Sequence, residues 1–134
     1  MGSIEEYKRY QDLFEFISNA YLVSDTQGKI QSANRATAAL FNLQQQFLVN
    51  KPLVCFIALE ERQAFRCLLS QMHECECDYV QELILHIQPR KSEPFEAAMT
   101  VARIRDVKGK LTGLRWMVRD IHHVWQQPLL GLER

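Results

Sequence analysis

Apolar residues recur at Ile4, Tyr7, Tyr10, Phe14 and Ile17, with Leu13 and Phe16 beside them. Glu5, Glu6, Lys8, Arg9 and Asp12 lie mostly on the opposite side. This spacing predicts an amphipathic helix from Ile4 to Asn19. Its aromatic stripe suits a cover for the domain's own surface or for a second copy. The period then changes. Tyr21, Leu22 and Val23 suit a strand, and Asp25-Thr26-Gln27-Gly28 a turn in which Gly28 supplies the positive φ. Ile30 restarts a short strand, and Asn34 stands at the N-cap position of a helix through Phe41.

Phe47 to Ile57 should hold a turn and one short helical turn, since Pro52 breaks anything longer unless it opens a helix. Leu59 to Glu74 reads as an amphipathic helix with Phe65, Leu68, Leu69 and Met72 on its buried side. Three strands should follow: Cys77 to Gln88, Phe95 to Arg105 and Thr112 to Val124. The loop after the first carries Pro89 and Pro94, and Asp106-Val-Lys-Gly109-Lys turns between the other two. Strands and helices segregate along the chain, which predicts an α+β fold with an antiparallel sheet and helices on one face.

The 134 residues fit one domain. A domain of about that size buries roughly 68% of its unfolded surface and needs no metal or disulfide staple. Sixteen basic and sixteen acidic residues cancel, which argues against nucleic acid or an anionic membrane as the main partner. No apolar run approaches the roughly 18 residues of a membrane helix. The N-terminus lacks the basic and apolar parts of a signal peptide, so a cytoplasmic setting with reduced cysteines is expected. Met1-Gly2-Ser3 reads as a cloning remnant and carries no weight.

The order and spacing of several short motifs resemble the PAS family of sensor domains over Tyr21 to His123. The motifs are Asp25-Thr-Gln-Gly28-Lys-Ile30, Ser32-Ala-Asn34-Arg-Ala36, Asn50-Lys-Pro52-Leu with the following Glu60-Glu-Arg helix, Glu93-Pro-Phe-Glu96 and Gly113-Leu-Arg-Trp-Met-Val-Arg-Asp120-Ile121. The resemblance implies a five-stranded antiparallel sheet with helices over one face, enclosing a small cavity. It divides the chain into an N-terminal flanking helix (1–20), a PAS domain (21–124) and a C-terminal linker (125–134). It also implies a homodimer, for which the stripe Tyr7, Tyr10, Phe14 and Ile17 supplies the candidate interface residues, the alternative being that the stripe packs on the outer sheet face of its own domain. An output domain of the same polypeptide, such as a histidine kinase or cyclase, would read the signal.

Candidate cavity residues are Phe41, Phe56, Phe65, Leu69, Thr100, Leu114 and Trp116. Alternation puts Leu114, Trp116 and Val118 on one face of the last strand and Arg115, Met117 and Arg119 on the other, without saying which looks inward. A plainly packed core is the preferred reading of these positions over an occupied cavity. Asp120, Ile121 and His122 occupy the place of the family's Asp-Ile-Thr-like signal-exit motif, with histidine where a hydroxyl usually stands.

The cofactor is not named by the sequence. Leu53 stands where flavin photosensors of the family carry their reactive cysteine, and Cys55 is offset, which argues against that photochemistry. His73 lies at the end of the long helix, a poor place for the family's haem ligand. His73-Glu-Cys75-Glu-Cys77 carries metal-ligand types but lacks a fourth ligand, so no metal site is assigned. Cys55 and Cys67, among apolar neighbours, read as small core residues. His122 and His123 would face opposite sides of a strand and do not make one pH-sensing site.

No nucleophile elbow, phosphate-binding glycine loop or His-Glu-x-x-His motif occurs, and no catalytic residue is assigned. The expected function is signal perception and dimerisation within a larger signalling protein. A small-ligand receptor with an occupied cavity is the alternative, and a small cavity enzyme the more remote one.

Overall fold

A computed structural model of the chain describes residues 19–74 and 81–121. The N-terminal aromatic stripe, Cys75, Cys77, His122, His123 and the tail lie outside the described residues. The described residues form five strands: β1 (Ala20–Ser24), β2 (Ile30–Ala33), β3 (Gln81–Ile87), β4 (Phe95–Arg105) and β5 (Leu111–Asp120). They form one antiparallel sheet in the order β2-β1-β5-β4-β3. Among the described residues, three helices lie between β2 and β3: α1 (Arg35–Phe41), α2 (Gln45–Leu48) and α3 (Arg62–Glu74). Two 3-10 turns, Leu53–Phe56 and Leu59–Glu61, connect α2 to α3.

Two turns use the same device. In Asp25-Thr-Gln-Gly28-Lys29 the carboxylate of Asp25 accepts from the amides of Gln27 and Lys29, each at 2.9 Å. In Asp106-Val-Lys-Gly109-Lys110 the carboxylate of Asp106 accepts from Lys108 and Lys110, again at 2.9 Å. Gly28 and Gly109 take φ of 91° and 85°, a left-handed conformation that glycine adopts without a Cβ clash. The aspartate fixes the turn, and the glycine lets the chain close it.

Asn34 caps α1 as its position predicts. Its Oδ1 accepts from the Thr37 amide at 3.1 Å and also from the Tyr21 amide at 3.0 Å. The Nδ2 donates to the Asn19 carbonyl at 3.0 Å. One buried amide therefore caps a helix and pins that helix to the first strand. At the other end of α1, Asn42 takes a left-handed φ of 56° and closes the helix.

The segment Asn50–Ala58 covers both outer edges of the sheet. Beside β2, the Ile30 amide donates to Lys51 at 2.9 Å and the Leu53 amide to Gly28 at 2.8 Å. Beside β3, the Ala58 amide donates to His86 at 2.9 Å and the Gln88 amide to Phe56 at 2.8 Å. Edge strands with unpaired amides recruit other chains, and this segment blunts both of them over part of their length.

The core lies between the helices and the sheet face that carries Leu22, Met99, Val101, Leu114, Trp116 and Val118. Thus Leu114, Trp116 and Val118 look inward, and Arg115, Met117 and Arg119 look away. Phe65, Leu68 and Met72 are buried from α3 as their spacing predicts, while Leu69 is half-buried. Cys55 and Cys67 are both exposed, which corrects their reading as core residues. On α3 the helical period carries Cys67 to the solvent side while its neighbour Leu68 turns inward.

Candidate functional site

The interior over the centre of the sheet is built from two stacked aromatic pairs. Phe41 at the end of α1 stacks on Phe56 with ring centroids 4.8 Å apart and planes inclined by 27°. Phe65 of α3 stacks on Trp116 of β5 at 5.4 Å, also at 27°. Such offset pairs add attraction beyond their buried area. Leu114 stands one inward position along β5 from Trp116 and is fully buried. Five of the seven cavity candidates therefore share one side of the sheet and occupy its middle.

The other two stand apart. Leu69 is half-buried near the first turn, where a Cβ added to Gly28 would lie 3.3 Å from it. Thr100 pairs with Met117 and with Glu82, all on the outer face, so it does not reach the aromatic core. Phe95 to Val101 runs Phe-Glu-Ala-Ala-Met-Thr-Val, in which Ala97, Ala98 and Met99 are all buried. That run hides the strand's phase, and cross-strand pairing decides it.

The Trp116 indole N–H donates to the Ser24 hydroxyl at 2.9 Å, and that hydroxyl donates to the Asp25 carbonyl at 2.8 Å. The chain of bonds ties β5 to the end of β1 through the core. Buried polar side chains among the described residues are Ser24, Asn34 and Thr37, all uncharged. They build the frame and supply no acid or base.

A second tie fixes the start of α3 to the sheet edge. The Glu61 carboxylate accepts from the His86 amide and lies 3.1 Å from the His86 Nδ1. Burial pushes the Glu61 carboxyl up. The His86 amide, then the imidazole hydrogen bond and its charge, outweigh this and hold the group below the ordinary carboxylate value. At the far end of α3, the Arg103 Nε donates to the Met72 carbonyl at 2.8 Å, a cation at the helix C-terminus. His73 Nε2 donates to the Thr26 carbonyl, which occupies the histidine with the first turn.

β5 ends at Asp120, opposite Ala97, and Ile121 follows it half-buried. These two positions of the exit motif are thus at the end of the strand that carries Trp116. His122 lies outside the described residues. Among the described residues no helix is long and apolar enough to cross a membrane. The ties Ser24–Trp116 and Glu61–His86 had no sequence signal, because each joins residues distant along the chain.

The fold and these contacts can be set beside known proteins. The model of the PAS fold family matches residues 8–121. No curated protein matches the sequence. Among solved structures, the PAS domain of a protein from Colwellia psychrerythraea superposes with a TM-score of 0.76 at 14% identity, covering 86% of this chain and 96% of that one. The PAS domain of an HTR-like protein from Haloarcula marismortui gives 0.72 at 17% identity, over 87% and 92%. A PAS domain from a two-component sensor histidine kinase gives 0.69 at 15% identity, over 88% and 98%. Those identities speak for the fold, and the family match over most of the sequence makes the assignment: the chain belongs to the PAS family.

Proposed function

We propose that this chain is a sensory and dimerising domain that reports to an output domain of the same polypeptide, of the histidine kinase kind, in the cytoplasm. One observation carries the reading. The aromatic core reaches the exit strand directly, through Trp116, which is stacked on α3 and bonded to β1. A shift of α3 over the sheet would therefore load β5, whose end at Asp120 and Ile121 leads to the following chain. The resemblance of the fold to a PAS domain of a two-component sensor histidine kinase supports the kind of output.

Association would run through the stripe Tyr7, Tyr10, Phe14 and Ile17, immediately ahead of β1. The outer sheet face offers a surface for it, with Tyr21, Val23 and Met117 half-buried and Ile84 56% exposed. Stacked pairs filling the middle of the core favour a packed interior over a bound cofactor.

Light scattering on the full chain tests the dimer, with Phe14→Glu as the variant. We expect a dimer that dissociates on this substitution. A wild-type monomer at high micromolar concentration would remove the dimer from the proposal. Native mass spectrometry and an absorption spectrum of fresh protein should show a bare chain without a chromophore. A retained ligand would favour the receptor reading instead.

A further inference from the structure

A groove of about 400 Å³ runs between the end of α1, α2 and the loop joining β3 to β4. It is lined by Asn42, Leu43, Gln44, Phe47, Lys51 and Arg90. We propose that this groove binds a small organic anion that joins a phosphate to a flat ring, of the size of a nucleoside monophosphate.

Charge is the first argument. Two of the six lining residues are cations and none is an acid. Among the described residues neither Lys51 nor Arg90 has an ion-pair partner. Lysine offers a compact ammonium and arginine a planar fork, the two donors that recognise phosphate. Two unneutralised cations facing one recess repel each other, and a bound anion relieves that repulsion.

The second argument is apolar. Phe47 is 53% exposed, whereas Phe41, Phe56, Phe65 and Trp116 are buried and Tyr21 and Phe95 half-buried. Leu43 is half-buried and packs on the core beneath. An exposed ring beside two cations matches a ligand with a flat apolar body and a charged end, since aromatic side chains stack on bases. The volume lies within the range of small-molecule sites.

The third is fixed placement. The Lys51 amide donates to the Leu48 carbonyl at 3.1 Å, and its carbonyl accepts from Ile30 at 2.9 Å. The Arg90 amide donates to the Phe41 carbonyl at 3.0 Å, and its carbonyl accepts from the Asn42 Nδ2 at 2.7 Å. Both cations therefore project from backbone held on each side. The left-handed cap at Asn42 serves twice, closing α1 and anchoring Arg90. Preorganised stations lose less entropy on binding. None of this depends on whether the domain dimerises.

Amide chemical shifts and calorimetry on the full chain test the site, with adenosine monophosphate, adenosine and inorganic phosphate as probes. Adenosine monophosphate should bind more tightly than either part alone and shift the amides of Phe47, Lys51 and Arg90. Lys51→Gln with Arg90→Gln should weaken it about tenfold or more, the scale of a charge-assisted contact. Phe47→Ala should weaken it several-fold, and Arg66→Gln, which lines a separate recess with Thr26 and His73, should change nothing. Equal binding of phosphate alone, or full affinity in the double variant, would overturn the proposal. So would shifts confined to the aromatic core. An acidic peptide that moves these amides while the nucleotide does not would make the groove a protein-docking surface and overturn it as well.

Discussion

The Trp116 indole donates its N–H to the Ser24 hydroxyl at 2.9 Å, deep in the core and between strands that are neighbours in the sheet. Both side chains are fully buried. Water cannot replace either partner, so the bond fixes where β5 sits against β1 as well as satisfying two polar groups.

Ser24→Ala would leave that N–H buried and unpaired. The expected loss of unfolding free energy is about 1–3 kcal/mol, read from urea denaturation. Trp116→Phe removes the donor, so the double variant should lose less than the sum of the single losses. Strictly additive losses would show that the bond contributes nothing specific.

How much of this was legible before folding depends on reach. The two Asp-x-x-Gly-Lys turns and the Asn34 cap depend on neighbours a few positions away, and the residues announced them. The buried side of α3 followed from its period. Thr100 was misplaced because Ala97, Ala98 and Met99 blur the alternation, and only pairing with Met117 sets the phase. Cys55 and Cys67 were misplaced because apolar neighbours in sequence do not say which side of a turn a residue occupies. The Glu61–His86 tie and the groove shared by Lys51 and Arg90 join segments that meet only after the sheet has closed. No local pattern could foretell them.

Asn34 should be the costliest polar position on the helical side. Asn34→Ala removes the cap of α1 and leaves the Tyr21 amide without its acceptor. Lost capping and a stranded buried donor together should cost about 2–4 kcal/mol. The Thr37 hydroxyl lies 2.7 Å from the Tyr21 carbonyl and 2.8 Å from the Asn34 Oδ1, and Thr37→Val removes only that link. Its cost should be smaller, about 1 kcal/mol. A reversed order of the two variants in thermal or urea melts would refute the central role of Asn34.

Gly109 and Gly113 should respond to alanine for different reasons. At Gly109 a Cβ meets open space but the φ of 85° is unfavourable, so the cost should be about 1 kcal/mol. At Gly113 an added Cβ would lie 2.7 Å from the Ser24 carbonyl oxygen, a backbone atom that cannot swing away. Gly113→Ala should cost about 1–3 kcal/mol and speed amide exchange at Ser24 and Leu114, the pair beside it. Unchanged exchange there would mean that the strands accommodate the methyl group without parting.

The Glu61–His86 tie makes stability depend on acid in a direction that can be worked out. Burial raises the Glu61 pKa, but the His86 amide and imidazole lower it further, leaving it below the reference value of 4.5. Between the two values the unfolded chain binds more protons than the folded one, so stability rises with pH. The contribution is fully present above 4.5 and is lost as pH falls through the folded value. Glu61→Gln cannot titrate, so its stability profile should lack this part of the acid slope. The gap between wild type and Glu61→Gln should therefore shift toward the variant as the solution is acidified. His86→Ala removes the imidazole but keeps the backbone amide, so the Glu61 carboxyl should titrate at a higher pH than in the wild type without losing all of its depression. Urea melts across the acid range, with carboxyl chemical shifts for Glu61, would check both. Parallel profiles for wild type and Glu61→Gln would show that the carboxylate carries no folded-state preference.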